Sequence, residues 1–304
     1  MNKTEWLAAL AAILSEPVQT NVPMQKHTTW QVGGRADYLV CPANEDELSA
    51  LLKLLAAENM PWLVIGNGSN LLVGDKGIRG VVMKLSESFS FTVWREQSVT
   101  AGAGKMLPEL ALEAAERGLS GLEFAAGIPG SLGGAVRMNA GAYGSTIGEF
   151  ITKVTIMDYS GQVRTMDVAE ITFAYRNSSL FDLEAVVCSV SLSLPTGSRE
   201  RSMEEIQRLL HLRSLNQPLE FPSCGSVFRN PPNDHAGRLI ELANLRGLQI
   251  GGAAVSKKHG NFIINLGGAR AKDIKDLIEE VQQRVYDYSG IRLVPEVKMV
   301  GEFA

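Results

Sequence analysis

Apolar positions along the chain repeat with two periods, and the period changes mark the elements. Trp6, Leu7, Leu10, Ile13 and Leu14 recur at helical spacing and predict an amphipathic helix with Thr4 as its cap, rather than a processed leader. Leu48, Leu51, Leu52 and Leu55 give a second helix opened by Pro42-Ala43-Asn44, and Leu107–Arg117 gives a third, ending at Gly118. Ser202 with Glu205 forms a capping-box pattern for a helix to about Leu215. Ile274, Leu277, Ile278, Val281 and Val285 mark a long helix closed by Gly290. Ala36–Val40, Trp62–Gly66 and Gly80–Leu85 read as strands, and Val294–Val300 as a last one. Across 152–194 the alternation (Val154, Ile156; Val163, Met166; Val186–Leu194) predicts antiparallel pairing rather than βαβ units. The class is α+β, with a break at Pro195-Thr196-Gly197-Ser198.

Composition narrows the function. The 29 basic and 33 acidic side chains leave a net charge of -4, without the basic excess of a nucleic-acid binder. The 45% hydrophobic content excludes disorder, and no run of ~20 apolar residues predicts a membrane span. Cys41, Cys188 and Cys224 are widely spaced and lack a CxxC pair, which argues for a reducing, cytoplasmic compartment and against a zinc site. Glycine is the skewed residue. Sixteen of its 30 occurrences lie within residues 66–148, where ~6 would be average.

Eight of those sixteen fall in two segments. Gly66-Asn67-Gly68-Ser69-Asn70 follows a strand, where small residues leave backbone N–H groups to face a ligand oxygen; a tight turn is the alternative. Gly127-Ile128-Pro129-Gly130-Ser131-Leu132-Gly133-Gly134 begins a stretch to Gly144 with six glycines in eighteen residues, suited to backbone lying against a flat or phosphorylated ligand. The Rossmann fingerprint fails, because Leu71 and Leu107 stand where its third glycine belongs. Outside these segments, Arg176 lies in a turn, Ser226 among small neighbours, and Glu296 among apolar ones. Each alone also reads as a surface arginine, a turn serine or a structural carboxylate. His27, His211, His235 and His259 share no metal-ligand spacing, and no metal is expected.

In order, these segments resemble the UDP-N-acetylenolpyruvoylglucosamine reductase (UDP-N-acetylmuramate dehydrogenase) family. The match rests on His27-Thr28-Thr29, Gly33-Gly34-Arg35-Ala36-Asp37, the two glycine segments, Asn139-Ala140-Gly141-Ala142, Tyr175-Arg176-Asn177-Ser178, Gly225-Ser226-Val227-Phe228 and Pro295-Glu296-Val297. The resemblance implies a two-lobed FAD-binding domain of the vanillyl-alcohol-oxidase (PCMH) type plus a C-terminal α+β substrate-binding domain. Lobe 1 is expected over 1–85, with the final strand 294–304 able to return to it, lobe 2 over 86–197, and the substrate domain over 198–304.

It further implies bound FAD on both glycine segments and NADPH as co-substrate. The expected substrate is UDP-N-acetylglucosamine enolpyruvate, reduced to UDP-N-acetylmuramate for peptidoglycan, by hydride from flavin N5 and a proton from Ser226. Arg176 and Glu296 would stabilise the charge on the substrate carboxylate. Asn139, Tyr143, Tyr175, Arg213, Asn230, Arg238 and Lys298 are weaker substrate candidates. No nucleic acid, membrane insertion or obligate protein partner is expected. The chain departs from the family pattern twice. Asn216 stands where a lysine is usual, which leaves Arg213 as the nearby cation. The short interval from Arg176 to Val186 leaves no room for an inserted tyrosine loop, as in a shorter subclass.

Overall fold

The structure is a computed structural model and describes residues 2–303. The chain folds into two compact units. One comprises residues up to Thr20 with Tyr38–Gly66 and Gly80–His211; the other comprises Asn21–Asp37, Asn67–Arg79 and the chain from Leu212 onward. This division places a boundary within the helix Arg199–Asn216, whereas the sequence suggests a break at 195–198.

The first unit opens with α1 (Lys3–Ile13), which is capped by Asn2 rather than Thr4. Asn2 accepts from the Thr4 and Glu5 N–H groups, both at 3.0 Å, and Glu5 reaches back to the Asn2 N–H at 2.9 Å. A side chain can accept from the N–H groups two and three positions onward, so the true cap lies just before the first helical turn. Helix α2 (Glu45–Ala57) is capped by Asn44 and buries Leu48, Leu51, Leu52 and Leu55 against Trp6, Leu10, Val81 and Met83. Trp62–Ile65 runs parallel to Ile78–Lys84, with Trp62 opposite Val81.

A five-stranded antiparallel sheet follows in the order Val163–Asp167, Ile151–Asp158, Ala185–Ser193, Ser98–Gly102, Thr92–Arg95. Its inner face packs on α3 (Leu107–Glu116) and α4 (Leu132–Met138), burying Leu107, Leu110, Leu132, Val136, Val154 and Val190. Gly118, just past α3, takes the left-handed conformation expected of it (φ +70°). Helix α5 (Arg199–Asn216) begins three residues before the predicted capping box. Ser202 is thus inside it, buried, and donates to Glu123 Oε1 at 2.6 Å.

In the second unit, α6 (Ala236–Leu242) and α7 (Ala271–Ser289) pack on a small antiparallel sheet of Gln249–Ile250, Ala253–Val255 and Ile263–Asn265. The α7 positions Ile274, Leu277, Ile278, Val281 and Val285 are all buried, and Gly290 closes the helix at φ +71°. Fully buried Trp30 sits in this core and donates its indole N–H to the Ile263 carbonyl at 2.7 Å. The last strand is shorter than predicted. Only Lys298–Val300 pairs, in parallel with Leu71–Val73, while Pro295 bridges to Phe228.

Candidate active site

In the first unit Gly66, the first residue of one glycine segment, lies against Ser131 of the other. A Cβ on Gly66 would overlap the Ser131 hydroxyl, so the end of the Trp62–Ile65 strand lies against the residue that opens α4. Gly133 is a packing glycine, its missing Cβ 2.9 Å from that of Ala103. Gly134 is different: a Cβ there would have only the Ser131 Oγ, at 3.5 Å, for a neighbour. Bare backbone with room above it is what a flat cofactor requires, so Gly134 fits FAD. In the second unit Gly68 has φ +66°, and a Cβ would overlap the His27 carbonyl oxygen. Thr29 donates its N–H to the Gly68 carbonyl at 3.3 Å.

Arg176 belongs to the first unit, at the tip of a hairpin in which Phe173 faces Ser178 and Ala174 faces Asn177. Its φ of +54° is uncommon for a residue with a Cβ, and such strain persists only where the surroundings enforce it. The surroundings are visible. Asn139 ends α4 and donates its amide to the Ala174 carbonyl at 3.0 Å, while its Oδ1 accepts from the Gly148 N–H at 3.0 Å. The Ser178 hydroxyl donates to the Arg137 carbonyl at 2.8 Å. Asn139, a substrate candidate from sequence, is therefore buried and spent on internal backbone. Tyr175 stacks under Arg176, with the guanidinium carbon 5.1 Å from the ring centre. Tyr143 donates its hydroxyl to the Leu209 carbonyl at 3.2 Å.

Ser226 and Glu296 belong to the second unit and sit on adjacent segments. Glu296 donates its N–H to the Val227 carbonyl at 2.7 Å, and Arg229 donates to the Val294 carbonyl at 2.9 Å. Asn70 joins them, donating its amide to the Glu296 carbonyl at 3.3 Å and accepting from the Lys298 N–H at 3.0 Å. Burial pushes the thiol of Cys224 up to about 12, so it stays protonated beside Ser226.

The remaining sequence candidates are more engaged than exposed side chains usually are. Asn230 caps α6 through the Ala236 N–H at 3.0 Å, and Arg238 makes a two-pronged ion pair with Asp234, at 2.8 and 2.7 Å. That pair holds the Asp234 carboxyl down at about 2. At the end of α5, Asn216 donates to the Leu212 carbonyl at 2.9 Å and Gln217 donates its N–H to the Arg213 carbonyl at 2.9 Å. A lysine does reach this helix end: Lys258 donates to the Ser214 carbonyl at 2.6 Å. Nothing local in the sequence announces it, since the two residues are 44 positions apart. Among the described residues no group of His, Cys, Asp and Glu could hold a metal ion, and no helix is long and apolar enough to cross a membrane.

Comparison with known proteins settles the family. Residues 36–167 match an FAD binding domain, and residues 217–300 match the C-terminal domain of UDP-N-acetylenolpyruvoylglucosamine reductase. A UDP-N-acetylenolpyruvoylglucosamine reductase of Heliobacterium modesticaldum is 48% identical over 281 residues, 92% of this chain and 90% of the relative. The chain belongs to the UDP-N-acetylenolpyruvoylglucosamine reductase family. A Streptococcus pyogenes reductase of the same name is 45% identical over 94% of this chain and 96% of its own. The crystal structure of the Thermus caldophilus reductase superposes with a TM-score of 0.80 at 37% identity, covering 91% of this chain and 97% of that one. BBE-like 1 of Physcomitrella patens, at 14% identity and TM-score 0.51 over 62% of this chain and 44% of its own, shares the fold alone. The chain is thus an FAD-dependent oxidoreductase, with an FAD-binding domain of the PCMH type and the C-terminal domain of its family.

Proposed function

We propose that this reductase converts UDP-N-acetylglucosamine enolpyruvate to UDP-N-acetylmuramate for peptidoglycan, in the cytoplasm, with NADPH as electron source and Ser226 as proton donor. When bound, FAD supplies the redox chemistry, accepting a hydride from the nicotinamide and giving one to the terminal carbon of the enolpyruvyl group. This chain's residues supply the rest. Addition of hydride breaks the carbon–carbon double bond and leaves negative charge on the adjoining carbon and its carboxylate. Arg176 offers a planar two-pronged donor to that carboxylate. Glu296 holds or shares a proton against the same group. The Ser226 hydroxyl delivers a proton to the carbanionic carbon, which completes the lactyl ether. A serine hydroxyl is a weak acid, so the role depends on a strongly basic carbon and on fixed placement.

The observation that carries this reading is the pairing of the Ser226 and Glu296 segments through the Glu296 N–H to Val227 carbonyl bond of 2.7 Å. It puts a hydroxyl and a carboxyl on adjacent segments, as joint handling of one proton requires. In this reading Gly66 to Asn70 and Gly127 to Gly134 hold FAD, the lobes divide near residues 85 and 197, and Tyr175, Arg213 and Lys298 contact the substrate. Stopped-flow separation of the two half-reactions tests it. Ser226→Ala is expected to keep flavin reduction by NADPH and to lose ~10²-fold or more in reoxidation by the enolpyruvyl substrate. Equal loss in both half-reactions, or in neither, sinks the assignment.

A further inference from the structure

The segment that carries Ser226 is held along two edges, and only one of them belongs to the Glu296 segment. The other edge is a single buried side chain, Asn261, which is 4% exposed. Its Oδ1 accepts the Phe228 N–H at 2.9 Å, its Nδ2 donates to the Phe228 carbonyl at 2.8 Å, and its own carbonyl accepts the Val227 N–H at 2.9 Å. A primary amide thus does for Phe228 what a neighbouring strand would do, satisfying donor and acceptor of one residue at once. Asparagine is the side chain of this length that can do so. Aspartate of the same shape only accepts when ionised, and would set a carboxylate oxygen against the Phe228 carbonyl.

The base of this side chain is itself fixed. The Asn261 N–H donates to His259 Nδ1 at 3.2 Å, and the Phe262 N–H donates to the His259 carbonyl at 3.0 Å. The buried Ser256 hydroxyl accepts from the Lys258 and His259 N–H groups, at 3.1 and 3.3 Å. On its other side Ser226 follows Gly225, which has φ +72° and nothing within 4 Å of where a Cβ would stand. Ser226 is therefore anchored from its C-terminal side, through Val227 and Phe228.

We infer that Asn261 is a positioning residue for proton delivery, its amide fixing Val227 and Phe228 so that the Ser226 hydroxyl stays in place. This inference rests on the reading of Ser226 as proton donor. A shift of about 1 Å at a reacting group costs roughly 10²-fold in rate, while binding of ligands that do not touch the hydroxyl is unaffected.

The test uses FAD-loaded Asn261→Asp and Asn261→Ser beside the parent and Ser226→Ala. Each is reduced anaerobically with dithionite and mixed with the enolpyruvyl substrate in H2O and in D2O. Both Asn261 variants are expected to retain FAD, to bind substrate within about threefold of the parent, and to reoxidise about 10- to 100-fold more slowly. Their solvent isotope effect should exceed that of the parent, because proton delivery has become the slower event. Reoxidation of both at the parental rate with an unchanged isotope effect, while Ser226→Ala is slow, overturns the inference. Loss of FAD from both also overturns it, since Asn261 would then maintain the fold. Rapid reoxidation of Ser226→Ala instead overturns the underlying reading of Ser226.

Discussion

Gly68→Ala separates backbone conformation from close approach at the glycine segment. Two costs combine there. An alanine at φ +66° costs about 1 kcal/mol for the left-handed conformation alone. Its Cβ would also overlap the His27 carbonyl oxygen and come 2.9 Å from Thr28 Cα, so the turn or the 27–28 backbone must move. That movement stretches the Thr29 N–H to Gly68 carbonyl bond, already 3.3 Å, whose loss costs ~0.5–1.5 kcal/mol, on top of ~1–3 kcal/mol for overpacking. Gly290→Ala in the same unit is the matched control. Its φ is +71° and nothing lies within 4 Å, so it carries the conformational cost only. The difference between the two variants is then roughly 1.5–4.5 kcal/mol, or roughly 3–18 °C in melting temperature. Thermal melts with visible flavin absorbance measure both stability and cofactor content, and Gly68→Ala should lose FAD where Gly290→Ala keeps it. Equal melting temperatures, or full FAD in Gly68→Ala, would refute the close-approach argument.

Three further outcomes follow from the bonds described. Asn139→Ala frees the Arg176 hairpin and the Gly148 N–H together; it should cost ~1–3 kcal/mol by urea denaturation and lower kcat more than it lowers flavin content. Asp75→Asn removes one of the two carboxylate oxygens that accept, each at 2.8 Å, the first N–H groups of α7 (Ala271 and Lys272), as well as the charge that favours a helix start. A loss of about 1–2 kcal/mol is expected in the same assay. Burial and then the nearby Arg246 hold His259 below the ordinary histidine range. The unfolded chain therefore takes up a proton that the folded chain refuses, and the stability from neutral His259, full above pH ~6.5, falls as the pH drops below that value. Urea midpoints measured from pH 7 to pH 5 should fall less steeply for His259→Gln than for the parent.

What could be read from the sequence was what short-range periodicity encodes. The apolar faces of α2 and α7, the caps at Gly118 and Gly290, and the antiparallel 152–194 strands all lie where spacing put them, because each is decided within a few turns or pairs. Helix starts were harder. Thr4 and Ser202 have the right chemistry but lie inside helices whose first turns begin earlier, at Lys3 and Arg199. Long-range pairing was hidden altogether. Val294–Val300 looked like a continuous strand, yet Pro295 bridges to Phe228, 67 residues away. Asn139 was a substrate candidate under the resemblance; its partners, Ala174 and Gly148, lie 35 and 9 residues along the chain. Asn261 and Lys258 gave no signal, since an amide or ammonium that bonds distant backbone leaves no periodic trace.

The five crossings of the chain between its two units bear on how the protein is made. Residues 1–211 include every segment of the first unit, so that unit can close while the ribosome is still translating the chain from Leu212 onward. The second unit cannot. Trp30, Val32 and Leu72 emerge early, yet their core neighbours Leu239, Ile263, Leu277 and Leu293 arrive only with the final third of the chain. Until then an indole and several branched side chains have no core to enter, and exposed apolar surface of that kind is what chaperones bind. A fragment starting at residue 212 would inherit the opposite defect, a core lacking its largest side chain. The C-terminal domain is thus a unit of descent but not of folding.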